Sequence, residues 1–311
     1  MSAVVKGIKL LWKAVEMSDN ARLAKQIPAS GVEQITDIPY CESRHPLNML
    51  DVYFPEGIPS GAALPVVIDI HGGGWYYGTK ELNKNYCLSI AKRGFTVFNI
   101  SYRLVPEVTM DEQLRDVMLA LKWINEHLDD YPCDKNKVLL TGDSAGGQLA
   151  CFAAALCGCE TLRAVYGSVD PEIKLTALGL TSPAAYLSPE PGIMGINAKT
   201  VLGKGYEKKA FSKFIDADKL LEIAKLPPTF LVTSSGDFIA RSLTVRLYRD
   251  IEAHSGTAYI MDWRKSRGKN LPHVFSVTQP DEPESIKTTD EMLAYFLRQA
   301  EKATKKEPLY E

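Results

Sequence analysis

Long apolar runs are missing from this chain of 311 residues, and nothing in it approaches the roughly 20 consecutive apolar residues of a membrane span. A charge surplus is missing too: 36 Lys and Arg stand against 38 Asp and Glu, so no basic excess points to nucleic acid. Cysteine occurs six times, at positions 41, 87, 133, 151, 157 and 159, but never in C-x-x-C spacing. Small buried thiols are expected, without disulfides or zinc, and the chain reads as cytoplasmic. Neither G-x-G-x-x-G nor G-K-[ST] occurs, nor a cluster with metal-ligand spacing, so no cofactor and no metal is expected. Residues 1–11 carry a short apolar patch broken by Lys6 and Lys9, without a small-residue cleavage site, which predicts an amphipathic helix in place of a secretion signal.

What is present is alternation. Val32 to Tyr40 and Leu47 to Phe54 read as a pair of strands about a polar turn at Glu42 to Pro46. A strand at Leu64 to Ile70, a helix over Glu81 to Arg93 and a strand at Phe95 to Ile100 follow. Asp111 to Leu128 places Leu114, Val117, Met118, Leu121 and Ile124 on one helical face. After a strand at Val138 to Thr141 and a helix over Gln148 to Cys157 come strands at Leu175 to Leu180, Thr229 to Thr233 and Ala258 to Trp263, then a closing helix over Thr288 to Glu301. Such alternation predicts an α/β fold, a mostly parallel sheet covered on both faces. A composition that is 45% hydrophobic suits one domain over 1–311, with or without a small cap.

Two glycine motifs punctuate this pattern. Gly142-Asp143-Ser144-Ala145-Gly146-Gly147 lies directly after the Val138 strand, and reads as a sharp strand-to-helix turn holding Ser144 out for attack. A bare G-x-S-x-G arises by chance in roughly one chain in ten of this length. The second motif, His71-Gly72-Gly73-Gly74-Trp75, ends the Leu64 strand and lets successive backbone N–H groups converge on an oxyanion. The assigned donors are Gly73 and Gly74, with Ala145 as the third. Trp75 and Tyr76 either line a substrate entrance or pack in the core.

Reactive groups of a parallel sheet sit beyond the carboxyl ends of its strands. Asp237 satisfies this, after Phe230 to Ser235 and Gly236, and its spacing divides evenly between an acid partner and an N-cap. Chain order Ser, Asp, His favours the acid. Asp143, Asp250 and Asp262 are its rivals, and Asp69, within an apolar strand, is expected to take a structural hydrogen bond. Of five histidines, His71 is expected to brace the glycine loop, His45 and His127 precede the elbow, and His254 falls near a helix end. His273, in Leu271-Pro272-His273-Val274-Phe275, is left as the base.

These residues resemble the hormone-sensitive-lipase-like branch of the α/β-hydrolase fold, which contains many carboxylesterases. The resemblance is carried by His71-Gly72-Gly73-Gly74-Trp75, Tyr102-Arg103-Leu104-Val105-Pro106-Glu107 and Gly142-Asp143-Ser144-Ala145-Gly146-Gly147, and spans roughly Pro65 to Phe275. It implies a triad of Ser144, Asp237 and His273, an oxyanion hole from the glycine loop plus Ala145, and a cap built partly from the amino-terminal helices. The chain departs from the family pattern at Val105, at Val108-Thr109-Met110 and in the residues around Asp237.

The resulting expectation is hydrolysis of short- to medium-chain esters through a covalent acyl-enzyme, with a cap from about 1–30 and 183–226 narrowing the pocket. Deacetylation of acylated sugars, a small-molecule amidase, arylformamidase or peptidase reaction, and a non-catalytic ligand-binding role are the alternatives. The expected partner is a small ester, not nucleic acid or membrane, and a homodimer is compatible with the sequence.

Overall fold

The computed structural model describes residues 3–188, 199–264 and 269–306. Eight strands, β1 (Val32–Pro39), β2 (Met49–Pro55), β3 (Leu64–Ile70), β4 (Thr96–Ile100), β5 (Cys133–Asp143), β6 (Ala177–Thr181), β7 (Thr229–Ser234) and β8 (Ala258–Trp263), form one sheet. Their order is β1-β2-β4-β3-β5-β6-β7-β8. Strand β2 runs antiparallel to β1 and β4, and every pair from β4 onward is parallel. Strands β4, β6 and β7 are buried at every position, as helices on both faces require, so their sequences are mostly apolar, with buried Thr96, Asn99, Thr181, Thr229, Thr233 and Ser234 among them, and do not alternate with exposed residues.

Helices α1 (Ala3–Leu23), α2 (Lys84–Ala91), α3 (Met110–His127), α4 (Ser144–Cys157), α5 (Glu160–Tyr166), α6 (Ala217–Leu221), α7 (Arg241–Ala253) and α8 (Pro283–Lys306) accompany the sheet. Leu114 of α3, Phe152 of α4 and Leu247 of α7 pack with Ile68 and Leu140 in one core. Leu88 of α2 and Phe296 of α8 pack with Val67, Leu139 and Phe230 in the other. Helix α3 begins at Met110, one residue before the expected Asp111, at a capping box in which the Glu112 carboxylate accepts the Thr109 N–H at 2.8 Å.

Several boundaries differ from expectation: β5 begins at Cys133 and not Val138, α2 spans Lys84–Ala91 and not Glu81 to Arg93, and α8 runs over Pro283–Lys306 and not Thr288 to Glu301. Helix α4 starts at Ser144 and not Gln148, because the small residues 145–147 let the first turn press against the sheet. Within the expected 183–226 cap, residues 210–221 form a 3-10 turn (Ala210–Phe214) followed by α6. Part of the expected 183–226 cap, residues 189–198, lies outside the described residues, as do residues 1–2. The six cysteines are free, but only Cys87 and Cys151 are fully buried; the other four are partly exposed, at loops and element ends. No described helix is long and apolar enough to cross a membrane.

Candidate active site

Ser144 stands at the carboxyl end of β5 and the first position of α4, with φ of +51°. A non-glycine residue there costs about 1–3 kcal/mol and persists only where its surroundings impose it. The imposition is visible at Gly146: a Cβ there would overlap the carbonyl oxygens of Ile70 and His71, so the elbow is wedged against the end of β3.

The Ser144 hydroxyl meets His273 Nε2 at 2.9 Å, and His273 Nδ1 meets Asp237 Oδ1 at 2.9 Å. The ionised carboxylate has no hydrogen to give, so Nδ1 carries the ring proton and Nε2 is the acceptor for the serine hydroxyl. The three residues follow β5, β7 and β8, all at the carboxyl edge of the sheet. The Asp237 side chain is wholly buried, and Oδ1 also accepts the N–H groups of Ile239 at 3.1 Å and Ala240 at 2.9 Å. The acid therefore fastens its own loop ahead of α7 while meeting the imidazole, so the two readings of its position are not exclusive. Burial pushes the Asp237 carboxyl up, but the His273 hydrogen bond and charge, with the Ser182 hydroxyl and the Ala240 amide, hold it below the usual carboxylate range.

The rival acids are engaged elsewhere. Asp250 accepts the Tyr186 hydroxyl at 2.6 Å, Asp262 takes the Arg241 and Arg264 guanidiniums, and Asp143 accepts the Gly72 N–H at 3.0 Å, directed away from the serine.

After β3 the backbone turns through left-handed conformations at Gly73 (φ +110°), Gly74 (φ +57°) and Trp75 (φ +69°). The Tyr76 and Tyr77 amides close the turn on the Gly73 carbonyl at 3.2 and 3.1 Å, and among the described residues the Gly73 and Gly74 N–H groups have no acceptor. The Ala145 N–H belongs to the first turn of α4, where the helix supplies no acceptor either. His71 is fully buried, donates from Nδ1 to the Gly72 carbonyl at 2.7 Å and stacks on Tyr102 at 4.4 Å between centroids. Burial pushes its pKa down to about 4, so it stays a neutral brace.

Of the two entrance candidates, Trp75 packs in the core, 4% exposed, with Nε1 donating to Gln148 Oε1 at 3.1 Å. Tyr76 is half-buried and stacks on Trp12 at 6.3 Å. Trp12 had no place in the sequence-derived site, yet its ring lies so close to Gly74 that a Cβ there would overlap it. The Tyr77 hydroxyl donates to Asp19, and Arg22 and Gln26 donate to the Thr278 carbonyl, so α1 and the residues after it are fastened beside the glycine loop. The cap expected from about residues 1–30 includes this helix, but no sequence motif singles out Trp12.

A largely parallel eight-stranded sheet with a serine elbow after β5 and an acid and a histidine on later loops is the α/β-hydrolase fold. Residues 50–177 match the family model described as BD-FAE. The solved structure of esterase B from Lactobacillus rhamnosis, inhibited by a C4-C4 SN3 tributyrin phosphonate, superposes with a TM-score of 0.91 at 31% identity, covering 97% of both chains. Esterase LipQ of Mycobacterium tuberculosis is 30% identical over 46% of this chain, and the arylacetamide deacetylase of Oryctolagus cuniculus 33% identical over 50%. The match covers only 34% and 39% of those two curated relatives' own lengths. The chain belongs to the hormone-sensitive-lipase-like carboxylesterase family.

Proposed function

We propose that this protein is a serine carboxylesterase acting on short- to medium-chain acyl esters. The observation that carries the reading is the single imidazole at 2.9 Å from both the Ser144 hydroxyl and the Asp237 carboxylate. His273 Nε2 takes the serine proton as Oγ attacks the ester carbonyl; Asp237 keeps the ring in its Nδ1–H form and balances the imidazolium charge. The Gly73, Gly74 and Ala145 amides hold the oxyanion of the tetrahedral intermediate, and having no other acceptor they need break no bond to do so. Collapse expels the alcohol, protonated by His273, and leaves an acyl-serine. Water, deprotonated by the same nitrogen, attacks the acyl-serine and releases the acid.

Trp12 supports a bound on substrate length, because its ring stands directly against Gly74, one of the assigned oxyanion donors, and stacks on Tyr76. The C4 phosphonate that inhibits esterase B favours the same range. The name of the rabbit relative makes aryl amides the second reading. The test is steady-state hydrolysis of p-nitrophenyl esters from acetate to palmitate beside an acetanilide. Wild type should peak between acetate and octanoate, and Ser144→Ala should lose at least about 10⁴-fold in kcat. Wild-type turnover by that variant, or an optimum at palmitate, overturns the reading.

A further inference from the structure

Oxyanion stabilisation on this fold needs two separate backbone segments held in register: the glycine loop after β3 and the elbow after β5. Beneath both lies a buried polar cluster that the triad does not use. At its centre is Asn83, 2% exposed, at the N-cap of α2. Asparagine at that position ordinarily turns its oxygen onto the first-turn amides of its own helix. Here it makes no such bond. Its amide nitrogen instead donates to Asp69 Oδ2 and to Asp143 Oδ1, both at 2.8 Å. Asp143 Oδ1 also accepts the Gly72 N–H at 3.0 Å.

These partners define the geometry of the site. Asp69 is the penultimate residue of β3, Asp143 precedes the nucleophile, and Gly72 precedes the two loop donors. Both aspartates are almost wholly buried, at 1% and 4% exposure, and two carboxyl groups facing each other in that setting repel unless donors lie between them. A carboxamide has two hydrogens on one nitrogen, which lets one side chain serve both acids at once. Burial and the charge of Asp143 push Asp69 up to about 7, in line with such crowding.

We propose that Asn83 is a positioning residue for the reaction: by tying Asp69 to Asp143, and through it Gly72, it fixes the spacing between the Gly73 and Gly74 donors and the Ala145 donor. The inference rests on the serine-esterase reading above. Oxyanion donors must be held to within about 0.5 Å, and mislaying one costs about 10²–10³ in kcat.

The experiment compares Asn83→Leu, Asn83→Ser and Asp69→Asn with wild type by active-site titration, by p-nitrophenyl butyrate kinetics and by inhibition with an alkyl trifluoromethyl ketone. In that complex the Ser144 oxygen bonds to the ketone carbon, the serine proton moves to His273, and the former carbonyl oxygen becomes an anion in the donor pocket. Per titrated site, Asn83→Leu should lose about 10²-fold in kcat with KM within threefold, and its ketone Ki should rise by the factor by which kcat/KM falls. Asn83→Ser, which keeps one donor, should fall between, and carries the test if the leucine variant does not fold. Asp69→Asn, which keeps a carbonyl oxygen as acceptor for Asn83 and so preserves the tie in part, should lose less in kcat than Asn83→Leu. An unchanged Ki, or a loss of activity explained wholly by fewer titratable sites, overturns the inference. Failure of wild type itself to titrate at Ser144 would instead overturn the esterase reading.

Discussion

Asp237→Asn separates two ways in which the acid could serve His273. Oδ1 receives three N–H groups: the imidazole and the backbone amides of Ile239 and Ala240. Backbone donors cannot be turned off, so the asparagine should place its carbonyl oxygen where Oδ1 stands and its NH2 toward the Thr233 hydroxyl, 3.5 Å from Oδ2 in the native side chain. His273 then keeps its Nδ1 proton, and what is lost is the negative charge beside the imidazolium. At an effective dielectric of about 20, a charge pair near 4 Å is worth about 4 kcal/mol. At 1.36 kcal/mol per tenfold that is about 10³ in kcat. The amide dipole retains part of it, so the expected loss is about 10²–10³. Where an asparagine offers its NH2 to the imidazole and inverts the tautomer, the loss is about 10⁴. The assay is kcat on p-nitrophenyl butyrate with nitrogen-15 histidine spectra reporting which ring nitrogen is protonated. A loss below tenfold, or a proton found on Nε2 in the variant, refutes the reasoning.

Three further outcomes follow from particular contacts. Asp69 has its pKa raised in the fold from 3.8 to about 7, so the pH-dependent cost of keeping it there is absent below about pH 4, grows as pH rises and is complete above about 7. Asp69→Asn should therefore raise the melting temperature more at pH 8 than at pH 5, and an equal shift at both contradicts the assignment. Trp12→Ala should move the acyl-length optimum upward by several carbons with kcat on butyrate within about fivefold, read from the same ester series; an unmoved optimum shows that the ring does not bound the pocket. Phe152, fully buried in α4, should cost about 3–5 kcal/mol when cut to alanine, measured by urea unfolding, and a cost under 1 kcal/mol would refute its place in the core.

How far the sequence spoke for itself varied with the range of the contact that decides each feature. Strand β8 runs from Ala258 to Trp263 as its local pattern indicates, and the motif strands β3 and β5 end at the glycine turns that announce them. Helix boundaries were less legible. Glycines at 146 and 147 argue against a helix by propensity, yet α4 includes both, since at Gly146 the end of β3 and at Gly147 the Gly142 carbonyl and Pro183 come close enough to crowd a side chain. Thr288 to Glu301 carries the apolar face of the last helix, whereas its start at Pro283 depends on proline being favoured at a first helical position. Ser144 and His273 could be selected by motif and elimination. Asn83 and Trp12 could not, since each acts on residues about sixty positions away and neither sits in a pattern. Trp75 divides between substrate entrance and core on sequence alone, and only the long-range bond of its indole to Gln148 resolves it to the core.

Intact-protein mass spectrometry after reaction with a fluorophosphonate, followed by peptide mapping, addresses the meeting of serine, histidine and donor amides most directly. One adduct per chain, on Ser144, formed at least about 10³-fold more slowly in His273→Ala, is the predicted result. No adduct, an adduct on another residue, or an unchanged rate in the histidine variant would contradict the account.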